Sequence, residues 1–197
     1  MWHNQGVKSG EGQRKRRDGP RRVRPPLNQE ALRELALRYV GRFATTRAKL
    51  TDFLRRKLRE RGWAGEVEPD LDALVGRLVE LGYVDDAAFA LSKSNALTAR
   101  GYGEGRVRQA LKLAGVTDDD GQPARDSAAA QAVDAALKFA RRRKIGPFAL
   151  ARGDPATRQK ALAAMIRAGH SFALSKLLVD SEPGAEIMPE DLVEHGS

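Results

Sequence analysis

From Leu27 to Asp180 the apolar residues recur at helical spacing, and no run alternates apolar with polar residues long enough for a strand. That period confines the chain to an all-α fold. Leu32, Leu35, Ala36, Tyr39, Val40 and Phe43 mark one helix near 28–43. Thr45 and Thr46 offer N-caps for a second, whose stripe of Leu50, Phe53, Leu54 and Leu58 stops at Gly62. A third starts at Glu68-Pro69 and carries Leu71, Leu74, Val75 and Leu78 to Gly82.

The cycle then restarts. Asp85 and Asp86 cap a helix containing Phe89, Ala96 and Leu97, a further helix holds Val107, Ala110, Leu111 and Ala114, and a long one covers roughly 126–144. After "IGPFALARGDP" come Leu162, Met165 and Ile166, then Leu174, Leu177 and Leu178. The pairs Leu50/Leu54, Val107/Leu111 and Leu174/Leu178 match as i, i+4 apolar pairs on the second helix of each cycle. Degenerate three-helix repeats follow, at 28–84, 85–150 and 151–180, between an arm at 1–27 and a tail at 181–197. A single continuous helical bundle is the alternative.

Leu, Ala and Arg dominate and aromatics make up 6% of the chain, which suits helices; no cysteine is available for disulfides, thiolate ligands or thiol catalysis. No apolar run reaches the roughly 20 residues that span a bilayer, and the basic N-terminus has no apolar segment behind it to make a secretory signal. A cytoplasmic setting is expected. The net charge of +9 is uneven: residues 1–27 hold eight Lys/Arg against two acids, a net +6. This Gly/Pro-rich arm cannot bury a core, so it is expected to be disordered and to attract polyanions weakly and non-specifically.

The stretch "RGYGEGRVRQAL" at 100–111 tests for nucleotide chemistry. A dinucleotide loop needs G-x-G-x-x-G after a strand, whereas here Gly101, Gly103 and Gly105 alternate, position 106 is arginine, and the preceding segment is helical. The glycines read as a corner between two helices, with Arg100, Arg106 and Arg108 beside the next helix start. Of the histidines, only His170 lies within the helical body, near a helix start, where a structural or capping role is expected. Asp118, Asp119 and Asp120 lack the downstream ligands of an EF-hand and read as a solvated acidic loop. No nucleophile–base pair or metal cluster emerges, so neither enzyme, cofactor nor metal is expected.

Basic faces carry more information. The 46–62 segment holds seven cations against two acids, including Arg55, Arg56 and Arg59. Arg106, Arg108 and Lys112 point away from the Val107/Leu111 stripe, and Arg141, Arg142, Arg143 and Lys144 end the 126–144 helix, where cations also complement the helix dipole. Such faces on successive repeats suit a long acidic partner, a nucleic acid or nucleoprotein filament.

The segment "LVELGYVDDAAFALSKSNALTARGYGEGRVRQALKLAGV", 78–116, resembles the central motif of the RecX regulatory proteins, with Gly82, Tyr83, Asp85, Asp86, Phe89, Ala90, Arg100, Gly101 and Gly103 at its positions. The flanks "ALRYVGRFATTRAKLTDFLRRKLRERG" and "MIRAGHSFALSKLLVD" resemble the family's first and last units more loosely. Gly105 stands where many relatives have proline and His170 where an aromatic is common. The resemblance implies tandem three-helix repeats in an elongated, curved body. It also implies a non-enzymatic regulator in DNA repair, recombination and the SOS response that binds the RecA recombinase or its filament on DNA and restrains filament growth, ATP hydrolysis and strand exchange; separately, a monomer is expected. Arg55, Arg56, Arg59, Arg100, Arg106, Arg108, Lys112 and Arg141 to Arg143 are the candidate contacts. The competing expectations are a direct DNA-binding, helix-turn-helix-like regulator and a helical adaptor for another protein.

Overall fold

The computed structural model describes residues 24–188, 190 and 192; the arm expected at 1–27 therefore lies outside it as far as Val23. Nine α-helices carry the described chain: α1 (Gln29–Val40), α2 (Arg47–Arg61), α3 (Leu71–Glu80), α4 (Asp86–Ala99), α5 (Glu104–Leu113), α6 (Asp118–Ala130), α7 (Ala132–Arg143), α8 (Pro155–Arg167) and α9 (Phe172–Asp180). Among the described residues the only extended pairing is an isolated bridge between Leu27 and Trp63.

Local chemistry fixes most helix starts. Asn28, Thr46, Asp70, Asp85, Thr117, Asp154 and Ser171 each accept a backbone N–H from the first turn they precede, a contact worth about 1 kcal/mol. The third helix thus begins after Asp70, and Pro69 stands just outside it. The α5 start differs, because Gly103 has no side chain with which to cap.

Three separate cores follow. Leu32, Ala36, Leu50, Leu54, Val75 and Leu78 join α1, α2 and α3. Leu27 belongs to this core, fully buried, with its N–H donating to the Gly62 carbonyl at 2.9 Å, so the expected arm boundary at 27 includes a core residue. Phe43, assigned to the first stripe, lies past the end of α1 and is 58% exposed.

The second core is built from small side chains. Ala90, Val107, Leu111, Ala124 and Ala128 pack α4, α5 and α6 together, and the Ser94 hydroxyl donates to the Ala124 carbonyl at 2.8 Å across the close α4–α6 contact. Asp118 to Asp120 are the first turn of α6 rather than a loop: Thr117 caps them, and acids there complement the helix dipole.

The third core unites Ala136, Phe139, Ala140, Met165, Leu174 and Leu178 with Leu192. The long helix expected at 126–144 is broken at Gln131, which ends α6 and starts α7. Helix α7 shares its core with α8 and α9, so the expected boundary at 150/151 cuts through a packed cluster; we propose units at 29–80, 86–130 and 132–180. Leu174/Leu178 then lies on the third helix of its unit, not the second. In these proposed units helix α8 is the second helix; it fully buries only Met165, and its stripe is mostly alanine, which weakens its signal.

Candidate functional site

The units are joined by corners, and each corner is made by residue types that permit close approach. Between the first and second units, the Thr46 hydroxyl donates to the Ala114 carbonyl at 2.6 Å. A Cβ on Gly115 (φ 69°) would collide with the Ala48 methyl. The fully buried Asp86 carboxylate accepts from the Arg47 amide at 2.9 Å and from its guanidinium at 3.4 Å, and the same guanidinium pairs with Asp120. Arg47, counted in sequence with the exposed basic face, is instead a tie between units.

The second joint repeats this design. The Gly103 amide donates to the Ala168 carbonyl at 2.9 Å and the Gly105 amide to the Gly169 carbonyl at 3.0 Å. Thr46 and Gly103 are the residues preceding α2 and α5, while Ala114 and Ala168 are those following α5 and α8. A side chain on Gly103 would strike the Gly169 carbonyl, and one on Gly169 (φ 94°) would strike the Arg106 amide. The glycine corner at 101–105 is therefore an inter-unit joint. His170 completes it: its Nε2–H donates to the Gly101 carbonyl at 3.2 Å, its ring lies 5.5 Å from that of Phe139, and its Nδ1 has no partner among the described residues. Burial pushes its pKa down to about 4, against the smaller opposing pull of the Gly101 carbonyl. It is a neutral structural residue, and Ser171 caps α9 in its place.

The candidate arginines lie on the outside of this frame. Arg55, Arg56 and Arg59 are exposed on α2 opposite Leu50 and Leu54. Arg55 reaches Asp52 at 3.9 Å and Arg56 reaches Glu60 at 3.7 Å, exposed pairs that hold their cations only loosely. Arg106, Arg108 and Lys112 are exposed on α5; Arg106 donates to Gln109 at 2.7 Å and Arg108 pairs with Glu104. Arg141, Arg142 and Arg143 are exposed at the end of α7. Arg142 donates to the Arg100 carbonyl at 2.5 Å, and the Arg100 guanidinium sits 5.6 Å from the Tyr102 ring. The fold thus brings Arg100 together with the α7 cluster, while the contacts of Arg55 and Arg56 stay within α2.

Two features escaped the sequence. Beside the α7 cluster, a cavity of about 170 Å³ is lined by Arg143, Lys144, Arg152 and Arg158, from segments that share no periodic signal. A larger groove, about 370 Å³, lies where the "GYVDD" corner meets α4 and the α1–α2 corner. Among the described residues no group of His, Asp or Glu is arranged to hold a metal, and no helix is long and apolar enough to cross a membrane.

No family model matches the chain. A protein from Myxococcus xanthus named Regulatory protein RecX is 34% identical over 181 residues, which is 86% of this chain and 95% of that protein. The chain belongs to the RecX family. A second Regulatory protein RecX, from Thermobifida fusca, is 34% identical over 78% of this chain and 80% of its own. The fold agrees: the crystal structure of RecX from Lactobacillus salivarius superposes with a TM-score of 0.56 at 17% identity, covering 76% of this chain and 93% of that one. A second RecX crystal structure gives the same TM-score at 22% identity over 78% of this chain and 72% of its own. The RecX relatives carry the word regulatory in their names and name no catalysed reaction.

Proposed function

We propose that this chain is a RecA modulator: it binds the RecA recombinase assembled on DNA and restrains filament growth, ATP hydrolysis and strand exchange, acting as a cytoplasmic monomer without catalysis of its own. The observation that carries the reading is the match of nearly the full length of a protein named Regulatory protein RecX. The arrangement of the basic faces supports it. Successive units present Arg55, Arg56 and Arg59, then Arg106, Arg108 and Lys112, then Arg141, Arg142 and Arg143 beside Arg100 of the second unit. A filament is long and repetitive and carries phosphates and carboxylates, so it suits a ligand with one basic face per unit.

The test is RecA's DNA-dependent ATPase titrated with this chain at about 0.15 M salt, where exposed charges are screened beyond roughly 8 Å, alongside binding to bare DNA. The reading expects inhibition. No effect on RecA, combined with sequence-specific duplex binding, would favour a direct DNA-binding regulator. Arg106→Glu with Arg108→Glu should weaken inhibition and leave helicity unchanged, because both side chains are exposed; unchanged inhibition removes the α5 face from the contact.

A further inference from the structure

Helix α4 has a solvent face that its composition does not explain. Helix α2 carries nine charged residues in fifteen, whereas residues 87–99 of α4 carry one, Lys93. Its inward side, Ala90, Ser94 and Thr98, is spent on α6 and the start of α7. The opposite side is nevertheless apolar or small: Ala88, Ser92 and Ala96 follow one another at i, i+4, i+8 and all are exposed, as is Leu91 at 40%. An exposed helix face ordinarily carries charges.

This face is one wall of the 370 Å³ groove, within the roughly 300–1,000 Å³ range of pockets that bind ligands. Tyr83, 55% exposed, forms part of the groove with Phe89 and Ala44. Thr45 lines it as well, only 6% exposed, and its hydroxyl has no hydrogen-bond partner among the described residues. A buried hydroxyl without a partner is costly, and an occupant that offers one removes that cost.

The charges identify the occupant. Lys93 lines the groove and the Lys49 ammonium lies 4.8 Å from the centre of the Phe89 ring. The one carboxylate among the lining residues, Asp85, is engaged by the Ala88 amide at 2.8 Å. What remains to be matched is an apolar trough with small residues at each turn and cations at its edge. We propose that this groove receives an amphipathic α-helix of the regulated protein, its apolar side chains laid along Ala88, Ser92 and Ala96 and its flanking carboxylates on Lys49 and Lys93. Small residues on α4 let the partner's backbone come close, and the i, i+3, i+4 side chains of a helix anchor in such a trough. The inference rests on the RecA reading for the identity of the partner. It adds an apolar anchor to what the basic faces supply by charge.

The experiment uses the full chain and RecA assembled on single-stranded DNA, reading the concentration that halves ATPase activity. Ala88→Arg with Ala96→Arg fills the trough from two exposed positions and should raise that concentration tenfold or more, with the thermal midpoint and helical circular dichroism unchanged. Lys93→Glu, a single exposed change that leaves the trough open, should raise it several-fold. Equal potency of the folded double variant and the wild type, or of Lys93→Glu and the wild type, overturns the groove and leaves the RecA reading standing. A wild type without effect on RecA overturns both. Sedimentation of the wild type as a dimer that the double variant converts to monomer would assign the groove to a second copy, and the proposal would fall.

Discussion

At residue scale, the joint at the glycine corner leaves no room for a side chain. Gly103 has the Gly169 carbonyl where a Cβ would go, whereas a Cβ on Gly76, inside α3, would meet nothing within 4 Å. Gly103→Ala is therefore expected to destabilise the chain by about 1–3 kcal/mol through overpacking. Gly76→Ala should stabilise it by about 0.5–1 kcal/mol through helix propensity. Urea midpoints of the two variants check the contrast. His170 sets the acid response. Its folded pKa of about 4 lies below the ordinary 6.5, so the unfolded chain binds the proton first. Stability is full above 6.5 and falls as pH drops toward 4, by up to about 3 kcal/mol. His170→Gln should flatten urea midpoints measured between pH 7 and pH 4. The carboxyls of Asp154, bound by the Thr157 amide and hydroxyl, and of Asp180, bound by Lys176, are held below 3.8. Their stabilisation disappears only at still lower pH, outside that window.

At the scale of elements, capping chemistry and apolar spacing make most helices legible in the sequence. Thr46, Asp85 and the Leu50/Leu54 and Val107/Leu111 pairs act as their sequence indicates. Helix α6 is hidden there because Gly121 and Pro123 look like breakers. Its Thr117 cap and the burial of Ala124 and Ala128 outweigh them, and Pro123 removes a single backbone donor. The break at Gln131 is hidden for the opposite reason: alanines on both sides continue the period without a stop signal. The tie of Arg47 to Asp86 and Asp120 is illegible too, since its partners lie 39 and 73 residues away. Asp86→Ala should cost about 1–3 kcal/mol, because the Arg47 amide and guanidinium lose a buried acceptor. Asp86→Asn, which keeps an oxygen for the amide, should cost less, and chemical denaturation separates the two.

At the scale of the whole molecule, the joints explain why the units form a series. Among the described residues, the hydrogen bonds and ion pairs between units run between neighbours, first to second and second to third. Leu27 occupies the end of α2 in the first unit, where Gly62 would otherwise present its carbonyl unpaired. Removing residues 24–27 in addition to 1–23 should therefore cost about 2–5 kcal/mol, the loss of one buried leucine, as read by thermal unfolding. The basic faces are legible as charge, but which cations are engaged by a neighbouring unit depends on the fold: the exposed Arg47 pairs with Asp86 and Asp120, whereas the exposed Arg106 donates to Gln109 on its own helix. The α4 groove is invisible in the sequence because Ala44 and Thr45 meet the 82–96 segment only in the fold.

The proposed action of this RecX-family chain on RecA filaments is open to direct measurement. The most direct measurement is the length of RecA filaments on single-stranded DNA as the chain is added at about 0.15 M salt, with binding to bare duplex measured in parallel. Progressively shorter filaments are expected at chain concentrations that leave bare duplex unbound. Filaments of unchanged length, with the chain bound instead to particular duplex sequences, would contradict the proposed action.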